Sequence, residues 1–82
     1  MSIEAKLIIN AQHRDDIKVE CDMKRNHCTG MLTEINGNKI TLPENSKKQI
    51  KLKDGKLLDI IVGNTKYYDT LVFVSEPTKV NI

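Results

Sequence analysis

Two histidines and two cysteines are the residues of this sequence whose side chains could support metal or nucleophilic chemistry: His13, Cys21, His27 and Cys28. Zinc sites draw on such ligands at short spacings of the CxxC or HxxxH kind, and neither spacing occurs in the chain. His27 and Cys28 are adjacent, and adjacent side chains on a strand point to opposite faces. That geometry disfavours a shared metal ion and a Cys–His nucleophile pair. We therefore predict no catalytic residue and no metal site.

The pattern around Cys21 predicts a core position for this thiol. Cys21 alternates in step with Val19 and Met23 on the apolar side of its segment, where a cysteine packs as a small hydrophobic residue. A disulfide to Cys28 is possible in principle, but no signal peptide and no apolar run of membrane-spanning length accompany it. We expect reduced thiols, a cytoplasmic location and no membrane insertion. The phosphate-binding motifs GxGxxG and GxxxxGK are also missing, so no cofactor is expected.

Basic residues could form a site of a different kind. A local excess of positive charge lies at Lys47, Lys48, Lys51, Lys53 and Lys56, and Arg14 stands apart in the stretch HRDD. One interpretation is a strip that binds the phosphates of RNA, DNA or a nucleotide. The other is a solvated loop and an edge strand whose outward lysines prevent aggregation, with Arg14 in a loop and paired to a nearby aspartate. We favour the second because Asp54 interrupts the cluster and no aromatic residue is interleaved with it.

Length and composition describe one small domain that spans residues 1 to 82. Its net charge is +2, from 13 Lys and Arg against 11 Asp and Glu, which is weaker than the basic excess of a dedicated nucleic-acid binder. Trp is absent and there are two Tyr and one Phe, so the chain lacks an aromatic platform for stacking bases. Ile, Val and Thr total 21, and these branched residues favour strands.

Alternation of apolar and polar residues predicts strands and no clear helix. The predicted strands are residues 3–9, 17–23, 28–35, 39–42, 57–62 and 67–75, with residues 50–52 in strand spacing before an Asp54-Gly55 turn. Polar stretches predict connections at residues 11–16, 24–26, 44–49 and 63–66. The segment LLDIIV at residues 57–62 is expected to be buried more deeply than the others. The tail, residues 77–82, is expected either to fray or to add an edge strand.

Glycines supply the turn signals in this pattern. Asn36-Gly37 predicts a type I′ hairpin turn that joins the third and fourth strands, and Gly55 and Gly63 are interpreted as turn residues as well. Gly30 falls within a strand, where it predicts a bulge or a bend at a barrel corner. Short strands with tight turns at this spacing predict an all-β fold, a small antiparallel six-stranded β-barrel.

The order of these elements resembles the PilZ superfamily of β-barrels, including the PilZ-like N-terminal domain of flagellar-brake proteins. The stretch GMLTEINGNKITL would supply the first hairpin, IKLKDGKLLDIIV the next segment and KYYDTLVFV the last strand. The resemblance covers most of residues 14 to 75, mainly at apolar positions and turn glycines. It implies a six-stranded barrel, in agreement with the strand pattern.

The motifs by which PilZ domains bind cyclic di-GMP do not carry over to this chain. The family's RxxxR motif would need a second arginine four residues from Arg14, and its D/N-x-S-x-x-G motif would need a serine where EINGN stands. The resemblance therefore implies a degenerate or accessory barrel that acts through protein contacts.

Three functions follow as hypotheses. The first is a non-enzymatic regulatory binding module, a PilZ-like barrel that contacts a protein partner in bacterial motility or second-messenger signalling. The second is a small SH3-, Sm- or OB-like barrel that binds RNA or DNA through the lysines between Lys47 and Lys56. The third is a small phage or plasmid protein that inhibits a host protein by surface contact.

Overall fold

A computed structural model describes residues 2 to 76 of the protein as six antiparallel strands in one closed barrel. The strands are β1 (Ser2–Ile9), β2 (Gln12–Met23), β3 (Cys28–Glu34), β4 (Lys48–Leu52), β5 (Leu57–Tyr67) and β6 (Thr70–Ser75). The prediction of an all-β, antiparallel six-stranded barrel is confirmed. The tail at residues 77–82 lies outside the described residues. No helix in the described part of the chain is long and apolar enough to cross a membrane.

The strands follow one another around the barrel in the order β1-β2-β3-β6-β5-β4, and β4 closes the ring by pairing with β1. All neighbouring pairs are antiparallel. In a ring of six strands in this order, β1 and β6 stand opposite each other. The outer surfaces centred on β1 and on β6 therefore face in opposite directions.

Aliphatic side chains fill the interior because alternate residues of each strand point inward. The buried apolar residues are Leu7, Ile9, Ile17, Val19, Cys21, Cys28, Leu32, Ile40, Ile50, Leu58, Ile60, Leu71 and Phe73. The core position predicted for Cys21, in step with Val19 and Met23, is confirmed: Cys21 and Val19 are buried and Met23 is partly buried against the core. The predicted deep burial of residues 57–62 is wrong, because β5 alternates there and exposes Leu57 and Ile61 to solvent.

The turn between β1 and β2 is shorter than predicted. Residues 11–16 were expected to form a polar connection, but β2 begins at Gln12 and the turn consists of Asn10 and Ala11. Both turn residues have positive φ, 49° and 67°, as a tight hairpin with the right-handed twist of its strands requires. The start of β2 carries exposed polar residues such as His13. Because apolar and polar residues do not alternate there, the sequence did not predict a strand over this part of the chain.

The predicted hairpin at Asn36-Gly37 does not form. β3 lies between β2 and β6, and residues 35–47, here called the 35–47 segment, contain no strand where residues 39–42 were expected to form one. Gly37 has a φ of 78°, but Asn36 is not among the positive-φ residues, so the type I′ geometry is absent. Instead, the buried carboxylate of Glu34 accepts hydrogen bonds from the backbone amides of Asn36 and Asn38.

The turn of the β5–β6 hairpin also lies at a different place in the sequence from the predicted one. Residues 63–66 were predicted as a turn, but they belong to β5, and the turn lies at Tyr68 and Asp69. The β5–β6 pairing shifts register between Val62 and Thr65 and again before Tyr67, and such irregularities absorb polar residues into a strand. The sixth strand accordingly begins at Thr70 and not at residue 67, and β4 begins at Lys48, inside the predicted 44–49 loop.

Gly30 marks a close approach of two backbones and not a bulge. The β2–β3 register runs without a shift from Met23 opposite Cys28 to Ile17 opposite Glu34. A Cβ atom placed on Gly30 would lie 1.8 Å from the carbonyl oxygen of Glu20. A side chain of any size is excluded there, so the glycine is required by the spacing of β2 and β3.

Candidate functional site

The two thiols lie inside the barrel, where they cannot act as exposed nucleophiles. Cys21 and Cys28 are 1% and 0% exposed and are not joined by a disulfide. Burial, with a smaller contribution from the neighbouring Cys28 thiol, raises the pKa of Cys21 to about 12. The thiolate is the reactive form of cysteine, so the Cys21 side chain is an inert part of the core at neutral pH.

The histidines are held apart by the length of β2. His13 lies near its start, with Nδ1 3.0 Å from Oδ1 of Asp15. His27 follows its other end, with Nδ1 3.2 Å from Oδ1 of Asn26. Among the residues that the structure describes, no group of three or more His, Cys, Asp or Glu side chains is arranged to hold a metal ion.

The basic residues identified from the sequence lie at three different places in the structure. Arg14, Lys51 and Lys53 line one groove of about 850 Å³. Lys47 and Lys48 lie near the start of β4; the Nζ of Lys48 donates to the carbonyl oxygens of Glu44 and Ser46, at 3.4 and 3.3 Å. Lys56 lies in the β4–β5 turn, where its backbone amide is held by the Asp54 carboxylate, and it does not line the groove.

Two further lysines line this groove that the sequence analysis missed. Lys6 on β1 and Lys18 on β2 are exposed between buried or half-buried neighbours, and both line the same groove as Lys51 and Lys53. We call the five residues Lys6, Arg14, Lys18, Lys51 and Lys53 the basic groove. The missing signal was strand register, because Lys6 stands directly opposite Lys51 in the β1–β4 pairing although 44 intervening residues separate them in sequence.

An irregularity in β2 shapes one wall of the basic groove. Ala5 pairs with Val19 and Leu7 pairs with Arg14, so two steps along β1 span five steps along β2. The extra residues of β2 protrude, as in a large bulge. They include Asp16, whose carboxylate accepts two hydrogen bonds of 2.9 Å from the Arg14 guanidinium. This pairing raises the pKa of Arg14 and lowers the pKa of Asp16, and it fixes the guanidinium at the groove wall.

The charges of the basic groove are only partly balanced. Lys18 lies 3.4 Å from Glu20, and Arg14 is paired with Asp16. The ammonium groups of Lys6, Lys51 and Lys53 make no ion pair within the described residues. Three carboxylates line the groove as well, those of Glu4, Asp15 and Asp54. Three unpaired lysines thus lie on one outward surface around β1, β2 and β4.

A second surface of distinct character covers the opposite side of the barrel. Ile61 on β5 stands directly opposite Val74 on β6, and these side chains are 56% and 38% exposed. Met31 and Val72 form the adjacent outward pair on β3 and β6. We call the four residues Met31, Ile61, Val72 and Val74 the apolar face. Leu57 lies outside it, because the exposed Asp59 separates Leu57 from Ile61 along β5 and Leu57 stands directly opposite Lys51 in the β4–β5 pairing.

Comparison with known proteins adds no relative: no family model, no curated protein and no solved structure matches the chain. The structure itself defines the class, a small closed antiparallel β-barrel with a basic groove and an apolar face on opposite sides.

Proposed function

We propose that this barrel is a non-enzymatic regulatory binding module whose apolar face contacts a protein partner. The observation that carries the proposal is the exposed outward pair Ile61 and Val74, with Met31 and Val72 beside it, on a surface built from β3, β5 and β6. Contiguous exposed apolar residues rimmed by polar ones are typical of protein interaction sites. Here the rim includes Thr29, which pairs with Val74.

The energetics favour burial of this face against another apolar surface. Covering the exposed half of the Ile61 side chain would contribute about 1 kcal/mol. Val74 would add a somewhat smaller amount, since its exposed fraction is 38%. The face lies on paired strands, so little conformational entropy is lost when a partner docks.

The resemblance to PilZ-like barrels suggests the setting of such contacts. It implies an accessory barrel in bacterial motility or second-messenger signalling, in the cytoplasm, and the six-stranded antiparallel barrel is compatible with it. The segment GMLTEINGNKITL contributes a strand followed by the irregular 35–47 segment and not a hairpin. KYYDTLVFV contains the turn between β5 and β6 and is not a single strand. The six-stranded barrel is therefore compatible with the resemblance without being specific to it. A small inhibitor of a host protein would use the same type of surface.

The test compares two substitutions of equally exposed isoleucines. Ile61 is 56% exposed within the apolar face, and Ile35 is 59% exposed in the 35–47 segment, outside that face. Tagged wild-type protein, Ile61→Asp and Ile35→Asp are used to purify partners from cells of the source organism. A partner recovered with wild type is then purified and titrated against all three proteins by calorimetry.

We expect Ile61→Asp to weaken the affinity at least tenfold, because a carboxylate in an apolar interface must be desolvated. Ile35→Asp should leave it unchanged, and both variants should retain the thermal midpoint of wild type within a few degrees. Equal affinities of wild type and Ile61→Asp would contradict the proposal, as would an equal loss in the two variants.

A further inference from the structure

The basic groove faces away from the apolar face and is not used by the proposed protein contact. We propose that it binds the phosphodiester backbone of nucleic acid, through Lys6, Lys51 and Lys53. The site differs from the lysine run between Lys47 and Lys56, because it is assembled from β1, β2 and β4 and excludes Lys47, Lys48 and Lys56.

The first argument is a repulsive pair of lysines. Lys6 and Lys51 are directly opposite each other in the β1–β4 register, and both are exposed on the outer face. Directly opposed side chains on neighbouring strands have Cβ atoms about 5 Å apart, and like charges at such positions destabilise a sheet. On β2 the outward charges form ion pairs, Lys18 with Glu20 at 3.4 Å and Asp22 with Lys24 at 3.1 Å, whereas Lys6 forms none with Glu4, two residues before it, in the part of the chain that the structure describes. An anion in the groove would relieve the repulsion between Lys6 and Lys51.

The second argument is the arrangement around that pair. Lys53 lies in the turn directly after β4 and lines the same groove as Lys51, together with Arg14 and Lys18. The charge of the Arg14 guanidinium is balanced by Asp16, so the three unpaired ammonium groups are the ones available for contact. Several lysines spread along an open surface suit successive phosphates of a polymer better than one isolated anion.

The lining of the groove also defines what it would not recognise. No Phe, Tyr or Trp lines it, and the one ring in its lining, that of His13, is held 3.0 Å from the Asp15 carboxylate, so the groove lacks an aromatic platform for stacking bases. Lysine ammonium groups that contact phosphates position a nucleic acid without reading its sequence. Binding should therefore be independent of sequence and strongly dependent on salt.

The experiment measures the binding of fluorescein-labelled oligonucleotides by anisotropy between 25 and 200 mM KCl. The probes are two unrelated single-stranded RNAs, the matching DNAs and one duplex, each about 20 nucleotides long. The test variant is Lys6→Ala/Lys51→Ala/Lys53→Ala. The charge-matched control is Lys39→Ala/Lys47→Ala/Lys66→Ala, which removes three exposed lysines outside the groove.

We expect wild type to bind the probes with similar affinities, and the test variant to lose at least tenfold in affinity at 50 mM KCl. For single strands, the negative slope of log K against log salt should be less steep in the test variant than in wild type by about 2, because each of the three lost phosphate contacts contributes about 0.7. The control should stay within threefold of wild type. No binding by wild type at 25 mM KCl, or an equal loss in both variants, would overturn the proposal.

Two further arms separate this proposal from its competitors. Poly-glutamate at the same charge concentration should displace the oligonucleotide poorly, and equal displacement would point to an acidic protein as the ligand and overturn the proposal. Ten millimolar inorganic phosphate should cause no more displacement than KCl of equal ionic strength. Saturable displacement by phosphate alone would instead assign the groove to a small phosphorylated ligand.

A charge reversal distinguishes a binding role from a structural one. Lys51→Glu would place a carboxylate opposite Lys6 and convert the repulsive pair into an attractive one. We expect the urea midpoint of unfolding to rise while oligonucleotide affinity falls at least tenfold. A variant that gains stability and keeps its affinity would show that Lys51 does not contact the ligand.

Discussion

At the scale of single residues, Cys21 couples the stability of the barrel to alkaline pH. Its pKa is raised from 9.0 to about 12 because burial disfavours the thiolate. The unfolded chain therefore loses this proton at lower pH than the folded chain. The corresponding stability is fully present below pH 9 and is lost as pH rises from there towards 12.

We predict that the free energy of unfolding of wild type falls by about 1 kcal/mol per pH unit between pH 9.5 and 11 on account of Cys21. Cys21→Ala will be less stable at pH 7, because it leaves a small cavity, but it should lack this contribution. Urea unfolding at pH 7, 9, 10 and 11 measures both profiles. Parallel profiles for the two proteins would contradict the assignment to Cys21.

Single-residue environments that depend on local alternation could be predicted from the sequence. Cys21 was predicted to lie inside, and the lysines of the strand at residues 50–52 to point outward, because a strand has a period of two. The pairing of Arg14 with an aspartate was also predicted, since the partners are two residues apart. The position of Lys6 beside Lys51 could not be predicted, because it depends on a β1–β4 register that no local pattern encodes.

At the scale of elements, the turns explain most of the differences between the predicted and observed strands. Asn36-Gly37 has the residues of a type I′ turn but leads into the 35–47 segment, because Glu34 binds the following amides and β6 occupies the position beside β3. The tight positive-φ turn occurs at Asn10 and Ala11, and an alanine gives no turn signal. Strand pairing thus overrides turn propensity at both places.

The β1–β2 turn yields a stabilising substitution. Ala11 has a φ of 67°, a conformation that costs an alanine roughly 1 kcal/mol relative to glycine. We predict that Ala11→Gly raises the free energy of unfolding by about 0.5 kcal/mol, after the greater flexibility of glycine in the unfolded chain is subtracted. Urea denaturation of wild type and variant measures the difference.

Ala5→Gly is the matched control for this prediction. Ala5 lies inside β1, where it pairs with Val19 and Leu52 and where glycine lowers stability by about 0.5–1 kcal/mol. Opposite signs for the two alanine-to-glycine substitutions are therefore expected. A loss of stability in both would mean that the strain at Ala11 is smaller than the entropy cost of glycine.

At the scale of the whole molecule, the strand order places two chemically different surfaces on one small barrel. The basic groove surrounds β1 and the apolar face surrounds β6, and these strands stand opposite each other in the ring. The class of fold was predictable because it requires only the number and spacing of alternating segments. The two surfaces were not, because each joins residues from three strands whose order around the barrel is not the order along the chain.

The whole-molecule arrangement also predicts the response to cyclic di-GMP. Arg14 is held by Asp16, and the chain's second arginine, Arg25, follows the other end of β2, so two guanidinium groups cannot converge on one nucleotide. We predict no saturable amide shifts when labelled protein is titrated with cyclic di-GMP up to 1 mM in NMR spectra. A PilZ domain that carries both motifs serves as the positive control. Saturable binding in the micromolar range would contradict the prediction.

The position of β6 in the barrel affects how the protein folds while it is synthesised on the ribosome. β6 separates β3 from β5, yet it is the last strand of the described chain to be synthesised. Until Thr70–Ser75 emerges, β3 and β5 each present an open edge, and open edges recruit other nascent chains. Closure therefore follows the synthesis of all the other strands, and a ribosome that stalls before Thr70 would release an open sheet with two unpaired edges and not a smaller barrel.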